Sequence, residues 1–237
     1  MSKPKKMLKA KSKVNSNSYR LLVVAHPDDE TLFFAAALLN LSDRPWKVIC
    51  VTDANADGRG RYRAEQFIDA CHALGVTDCE QWNFADIYDK RLPINELVEK
   101  FGKLKKPYEV FTHSIIGEYG HPHHQDVSYA VSLAFKSRIW APAYNCRADM
   151  ILLLSKKQYE LKSRIYSDIY GGETLRFSSF LPNRNVDEFY QVDKTEVKEI
   201  YSCVALKKKL NSAKLKHYKW YTQFITKVLT EKPSRPF

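Results

Sequence analysis

Two histidine-containing motifs hold the residue types from which a hydrolytic metal site is built. The first is His-Pro-Asp-Asp-Glu at residues 26–30, and the second is His-Pro-His-His at residues 121–124. A catalytic zinc takes three nitrogen or oxygen ligands from the protein and keeps one open position for water. His26 and Asp29 lie on one short turn, and His124 could complete the set from a neighbouring turn.

The carboxylate of Asp28 lies between these ligands and could take a proton from the water, whose pKa the metal lowers toward roughly 7. Each motif also has a simpler interpretation. The Asp-Asp-Glu run could cap a helix and offset its dipole, and residues 121–124 could be an incidental polar cluster. The two motifs together, each following a strand of one sheet, favour the metal site.

The residues around the motifs predict alternating strands and helices. The apolar run at residues 20–25 predicts a strand buried on both faces, and residues 30–41 follow a helical rhythm, so the first motif lies on a strand-to-helix turn. Residues 171–185 are rich in turn formers and predict a surface loop. Further strands are predicted at 46–52, 80–84, 108–112 and 150–154, and further helices at 61–74, 94–104, 125–135, 156–166 and 194–209.

This alternation predicts a Rossmann-like α/β fold, an open and mainly parallel sheet with helices on both faces. Ligands of such sheets bind beyond the carboxyl ends of the strands. Both motifs follow strand ends, so we expect them to face one crevice. A single domain is expected over residues 18–237, after a basic flexible tail at residues 1–17.

The motifs resemble those of the PIG-L/LmbE-like deacetylases. Ala-His-Pro-Asp-Asp-Glu at 25–30 is similar to the family's signature, and Gly-Glu-Tyr-Gly-His-Pro-His-His at 117–124 is similar to its second motif. Between them, residues 63–67 and 70–75 resemble the family's helix that begins with arginine and ends in Leu-Gly. The resemblance spans residues 21–131.

The resemblance implies a zinc-dependent enzyme that removes acetyl from N-acetylglucosamine conjugates. Carried over to this chain, it implies His26, Asp29 and His124 as the Zn²⁺ ligands. It also implies Asp28 as the general base and His121 as the group that stabilises the oxyanion and assists departure of the amine.

Substrate contacts are implied in the same way. Arg63 matches a cation that holds the sugar conjugate, and Tyr119 could donate a hydrogen bond to the tetrahedral intermediate. Asp89 could match an acidic substrate contact of the family, with Asp86 as its competitor. Aromatic residues of the C-terminal region could stack on a sugar ring or fill the core: Tyr166, Tyr170, Phe177 and Phe180.

Two positions depart from the family's pattern. The residue before the last histidine is often Asp, which can orient a catalytic histidine, and here it is His123. Gln66 stands where the second helix commonly has Glu. Neither change touches an implied ligand, so the metal site is still expected, whereas the proton relay is expected to differ.

Charge and composition limit the kinds of partner that are expected for this chain. The formal net charge is +11, with 38 basic and 27 acidic side chains, and lysines crowd at both ends. Such ends are usually solvated, so nucleic acid is not expected, while peripheral contact with an anionic surface stays open. No signal-peptide core or membrane span is predicted, and we expect a soluble cytoplasmic protein. Five cysteines without a CxxC pair argue against disulfides and a thiolate zinc site.

The leading interpretation is therefore a zinc-dependent hydrolase that removes an acetyl group from an N-acetylated sugar, with Asp28 activating zinc-bound water. A zinc amidohydrolase acting on a non-sugar amide is one alternative. A non-catalytic module that binds an anionic ligand is another. A nucleotide-binding Rossmann module should carry G-x-G-x-x-G after its first strand, where this chain has the first histidine motif.

Overall fold

The sheet is built around the apolar run that opens the folded part of the chain. A computed structural model describes residues 18–174, 176, 178 and 181–230. The predicted basic tail at 1–17, Phe177 and Phe180 lie outside the described residues, and the single domain over 18–237 stays a prediction. The strands are β1 (Arg20–Val24), β2 (Trp46–Thr52), β3 (Asp78–Phe84), β4 (Glu109–Thr112), β5 (Arg138–Pro142), β6 (Met150–Leu153) and β7 (Val186–Gln191).

These strands form one seven-stranded sheet in the order β3-β2-β1-β4-β5-β7-β6. Strands β1 to β5 are parallel, whereas β7 runs antiparallel to both β5 and β6. All five residues of β1 are buried, because the strand has a parallel neighbour on each side and helices above and below. The sheet is therefore mainly parallel, as the sequence predicts.

Helices cover both faces of the sheet. Leu22 of β1 packs in a core with Phe34, while the adjacent Leu21 packs in a second core with Phe101 and Val131 on the opposite face. The predicted Rossmann-like α/β fold is confirmed. Across the described ranges, every helix is too short or too polar to form a membrane span. The helices are α1 (Asp29–Asn40), α2 (Gly60–Ala73), α3 (Ile94–Gly102), α4 (Pro122–Ala134), α5 (Lys156–Arg164), α6 (Gly171–Thr174), α7 (Lys194–Val204) and α8 (Thr222–Lys227).

The C-terminal part differs most from the sequence prediction. Strands β5 and β7 were not predicted, because both are short and the acidic residues at 187 and 188 obscure the apolar side of β7. The predicted loop at 171–185 contains the single-turn α6 and ends at β7. Helix α7 ends at Val204 rather than near residue 209, and Lys207 takes a left-handed conformation, φ 56°, that a helix cannot continue through.

A buried ion pair joins this part of the chain to α1. Lys162 Nζ lies 3.7 Å from Asp187 Oδ1, and the two side chains are 1% and 3% exposed. Asp187 accepts the backbone N–H of Ala36 at 2.6 Å, and Lys162 donates to the carbonyl of Leu32 at 3.2 Å. Residues 32 and 36 lie one turn apart and bond to each other in a regular helix, so the ion pair is anchored to one turn of α1.

Candidate metal centre and active site

The candidate site lies at the carboxyl ends of β1 and β4. The two strands pair in parallel, with Val23 opposite Thr112, so the segments that follow them leave the sheet side by side. His26 begins the turn into α1, and His113 begins the loop that leads to α4. Both histidine motifs therefore open onto one edge of the sheet, as expected for this fold.

The second motif lies partly on α4 rather than in the loop before it. The helix begins at Pro122, three residues earlier than predicted, because proline fits a first helical turn. The ring of His121 caps this turn by accepting a hydrogen bond from the N–H of His123 at 3.2 Å. His123 and His124 consequently share the first turn, and both are fully buried.

The three predicted ligands meet around the carboxylate of Asp29. His26 Nδ1 lies 3.6 Å from one carboxylate oxygen, and His124 Nε2 lies 3.5 Å from the other. The backbone N–H of His26 donates to the first oxygen at 2.8 Å and fixes its direction. Each histidine thus presents one nitrogen to the carboxylate of Asp29, and imidazole nitrogens and carboxylates are donors that zinc takes.

His124 presents a free lone pair to this centre. Its Nδ1 lies 2.6 Å from a carboxylate oxygen of Glu118, so Nδ1 carries the proton and Nε2 does not. Burial and the neighbouring His113 lower the pKa of His124 to about 4, which keeps the ring neutral. Nε2 is buried and has no hydrogen-bond partner. A buried nitrogen acceptor that faces a carboxylate fits a metal ion.

Glu118 organises the loop before α4, and sequence reasoning missed it. Its carboxylate is also within 3.0 Å of His113 Nδ1 and accepts the N–H of Ser114 at 2.8 Å. Burial alone would raise its pKa, but the two histidines outweigh burial and hold the pKa at about 2. His113 accepts the N–H of Ala25 on its other nitrogen at 3.0 Å, so both of its ring nitrogens are engaged.

The turn that delivers Glu118 depends on Gly117. This glycine has φ 70°, and a Cβ added to it would lie 2.5 Å from the carbonyl oxygen of His121. Glu118 itself has φ 54°. The glycines around the second motif were the sequence signal from which a strained, ligand-positioning turn could have been inferred.

Asp28 occupies the residue before α1 in a conformation that side chains rarely adopt, with φ 102°. Arg63, from α2, donates to its carboxylate at 3.2 Å and to the carbonyl of Pro27 at 2.8 Å. Burial raises the pKa of Asp28 well above its usual range, and Arg63 offsets part of that shift. The structure thus brings Arg63 to the site, where it holds the loop that carries Asp28.

A cavity of about 500 Å³ opens over these residues. Its wall includes His121 and Tyr119, whose ring centroids are 5.9 Å apart. Burial and the surrounding histidines lower the pKa of His121 well below its usual range, so its ring is neutral. His124 does not line the cavity but stacks on His121, with 4.6 Å between the ring centroids. The other predicted site residues that line the cavity are His26, Asp28, Asp29 and Arg63.

Of the two aspartates proposed as substrate contacts, Asp86 lines the cavity. Its carboxylate lies near His26 and His123, and its contacts with these histidines, first of all with His26, lower its pKa far below the usual range despite burial. His123 stands where the family commonly has Asp, and here it faces Asp86. Gln66, the second departure, donates to the carbonyl of Ile169 in a π-helical turn after α5.

The rim of the cavity is formed by the loop before α2 and by the segment around α6. Asp57, from the loop before α2, lies 3.5 Å from Arg176. Glu173 of α6 pairs with Arg176 at 3.6 Å and with Arg59 at 2.7 Å. Of the two roles left open for Tyr170, the structure supports filling the core, since the residue is fully buried and donates to Glu30 at 3.0 Å.

The fold and the site define a Rossmann-like α/β protein with a buried His and Asp cluster, at the ligand edge of its sheet, that fits a metal ion. Residues 21–135 match the PIG-L family model, described as GlcNAc-PI de-N-acetylase. These residues therefore belong to the PIG-L family, and the resemblance seen in the motifs is confirmed.

Relatives match over the same part of the chain. An uncharacterized protein, L374, of Acanthamoeba polyphaga mimivirus is 31% identical over 125 residues, which are 46% of this chain and 54% of that protein. A probable N-acetylglucosaminyl-phosphatidylinositol de-N-acetylase of Dictyostelium discoideum is 29% identical over 129 residues, half of each chain. The chain thus spans about half the length of these relatives.

Solved structures share the fold. The N,N'-diacetylchitobiose deacetylase of Pyrococcus horikoshii superposes with a TM-score of 0.55 at 16% identity, covering 74% of this chain and 84% of the other. The conserved protein TT1542 of Thermus thermophilus gives a TM-score of 0.54 at 17% identity, covering 74% and 94%. The sheet and its flanking helices are therefore those of the LmbE-like structures.

Proposed function

We propose that this chain is a zinc-dependent hydrolase that removes the acetyl group from an N-acetylated sugar. The observation that carries the proposal is the unpartnered Nε2 of His124, buried opposite Asp29 beside a cavity that is lined by Asp28 and His121. His26, Asp29 and His124 would hold the metal. When bound, Zn²⁺ supplies a water of lowered pKa and a Lewis acid for a carbonyl oxygen.

Asp28 is the general base in this proposal. Its carboxylate accepts the proton of the attacking water as the oxygen bonds to the acetamide carbon, and Arg63 holds the carboxylate in place. The same proton passes to the amine nitrogen as the carbon–nitrogen bond breaks. The products are a free amine and acetate, so the carboxylate ends the cycle as it began.

His121 is the group that stabilises the developing oxyanion. Its Nδ1 accepts the backbone N–H of His123, so a neutral ring carries its proton on Nε2. That N–H is a donor for negative charge that develops on the substrate, and one such donor typically contributes about 10²- to 10³-fold to kcat. Tyr119, on the same wall, would add a second hydrogen bond from its hydroxyl.

The substrate class is supported by the relatives' names. The Dictyostelium relative is named for N-acetylglucosaminyl-phosphatidylinositol, and the Pyrococcus structure for N,N'-diacetylchitobiose. Both compounds carry an acetamide on a sugar, and the open cavity includes charged side chains that can bind sugar hydroxyls, such as Arg63 and Asp86. Peripheral contact with an anionic surface through the basic ends is a separate proposal.

The test is acetate release from a panel of N-acetylated sugars and a non-sugar acetamide, each with and without a chelator. We expect release from an N-acetylglucosaminide that stops with chelator and returns with zinc. Asp28→Asn should lower turnover about 10²- to 10⁴-fold and keep its metal. Asp69→Asn, on the exposed face of α2, is the matched control and should not change turnover.

Undiminished turnover by Asp28→Asn would remove the general base from the mechanism. Release from the non-sugar acetamide alone would favour the broader amidohydrolase. Absence of acetate release across the whole panel, from protein shown to contain zinc, would count against deacetylation.

A further inference from the structure

We propose that His26, Asp86 and His123 form a second divalent-cation site beside the proposed catalytic one. Three atoms define it: His26 Nε2, His123 Nδ1 and Asp86 Oδ1. The two nitrogens are 3.3 Å apart, and the carboxylate oxygen lies 3.4 Å from the first and 3.3 Å from the second. The three atoms thus form a nearly equilateral triangle.

The edge length of this triangle matches the spacing of ligand atoms around a metal ion. Zinc binds nitrogen and oxygen at about 2.0–2.1 Å with tetrahedral angles, which separates its ligand atoms by roughly 3.3–3.4 Å. A charge-assisted hydrogen bond between a histidine and a carboxylate is typically about 2.7–2.9 Å long. Both contacts to Asp86 are much longer than that.

The tautomer of His123 supplies the second line of evidence. Its Nε2 lies 3.1 Å from the carbonyl oxygen of Ile87 and 3.0 Å from that of Lys90. Carbonyl oxygens only accept, so Nε2 carries the proton of the neutral ring and donates it to them. Nδ1 then directs its lone pair into the triangle. Outer contacts of this kind typically orient a metal-binding histidine.

The two sites use opposite nitrogens of His26, so a chain that holds both cations has this ring as a bridging imidazolate, with its last N–H proton released to solvent. Nδ1 faces Asp29 at 3.6 Å, and Nε2 faces Asp86 at 3.4 Å. His26 and Asp86 both line the open cavity, which gives a cation a path to the second site. We expect the second cation to bind more weakly, because it shares a ligand with the first and the two like charges repel each other.

This site shares His26 with the proposed function but does not require hydrolysis, so metal content tests it independently. The folded chain is dialysed against excess zinc, and bound zinc is measured per chain. We expect two equivalents for the unmodified chain and one for His123→Gln. Gln reaches the position of Nε2 and keeps a donor for the two carbonyls, but it offers no nitrogen at the position of Nδ1.

Two further variants separate the sites. His124→Gln should also bind one equivalent, and the double variant His123→Gln/His124→Gln should bind none. The exposed Asp89→Asn, near Asp86 in sequence, is the matched control and should bind two. Thermal melting of each variant establishes that it is folded. Anomalous scattering at the zinc edge, from crystals of the unmodified chain, should show a peak within the triangle.

One equivalent in the unmodified chain that is unchanged in His123→Gln and absent in His124→Gln would overturn the second site and leave the catalytic one standing. One equivalent that is lost only in His123→Gln would instead overturn the proposed catalytic ligand set. An empty triangle in crystals grown with excess zinc would also contradict the second site.

Discussion

The two halves of the chain contribute different things to the site. Residues 21–135, which match the PIG-L family, carry every residue to which we assign metal binding or proton transfer. The part after residue 135 supplies the reversed strand β7, the rim residues Glu173 and Arg176, and the buried pair of Lys162 with Asp187. The chemistry is thus encoded in short motifs, whereas the pocket rim and much of the support come from segments without a motif.

The largest effect is expected for Lys162→Ala. Lys162 lies outside residues 21–135, which we call the motif half, but it contacts α1 within that half. Removing the lysine leaves the carboxylate of Asp187 buried without its ion pair, a change that typically costs about 3–5 kcal/mol. The free energy of unfolding from chemical denaturation measures it. Lys157→Ala, on the exposed face of the same helix, should stay within about 0.5 kcal/mol of the unmodified chain. Equal stability of the two variants would contradict the supporting role of the pair.

Glu118→Gln tests the motif half itself. The substitution keeps the size of the side chain but removes the charge that holds His124 in its tautomer, so zinc affinity should fall about 10- to 100-fold. Competition with a chromogenic chelator measures the affinity. Glu96→Gln, on the first turn of α3 and exposed, is the control and should not alter it. Unchanged affinity in Glu118→Gln would mean that the charge of Glu118 does not support metal binding by His124.

The smallest effect is expected at the rim. Arg176 is half exposed and its ion pairs are long, so Arg176→Ala should change substrate binding by no more than about 1 kcal/mol, roughly fivefold in KM, with kcat unchanged. Steady-state kinetics on the best substrate of the panel measure both constants. Arg164→Ala, exposed on α5, should leave KM unaltered. A fall in kcat without a change in KM would place Arg176 in the chemistry rather than at the rim.

What could be predicted from the sequence follows the same division. His26 and His124 were placed at neighbouring strand ends because a buried apolar run before a polar turn is a local signal. Strand β7 lacks such a signal, since Asp187 lies where an apolar residue was expected and its burial depends on Lys162, 25 positions away along the chain. The role of Glu118 was hidden for a related reason: its partners are histidines whose directions only the folded loop defines.

The backbone of Asp28 has one more consequence. A non-glycine residue at φ 102° costs on the order of 1–3 kcal/mol, and glycine would remove that cost. Asp28→Gly should therefore melt at a higher temperature than Asp28→Asn, because both lose the carboxylate that contacts Arg63 and that we assign as the base, and only glycine relieves the backbone. At this position the backbone conformation favours glycine, whereas turnover requires a carboxylate. The presence of aspartate indicates that selection for turnover outweighed selection for stability.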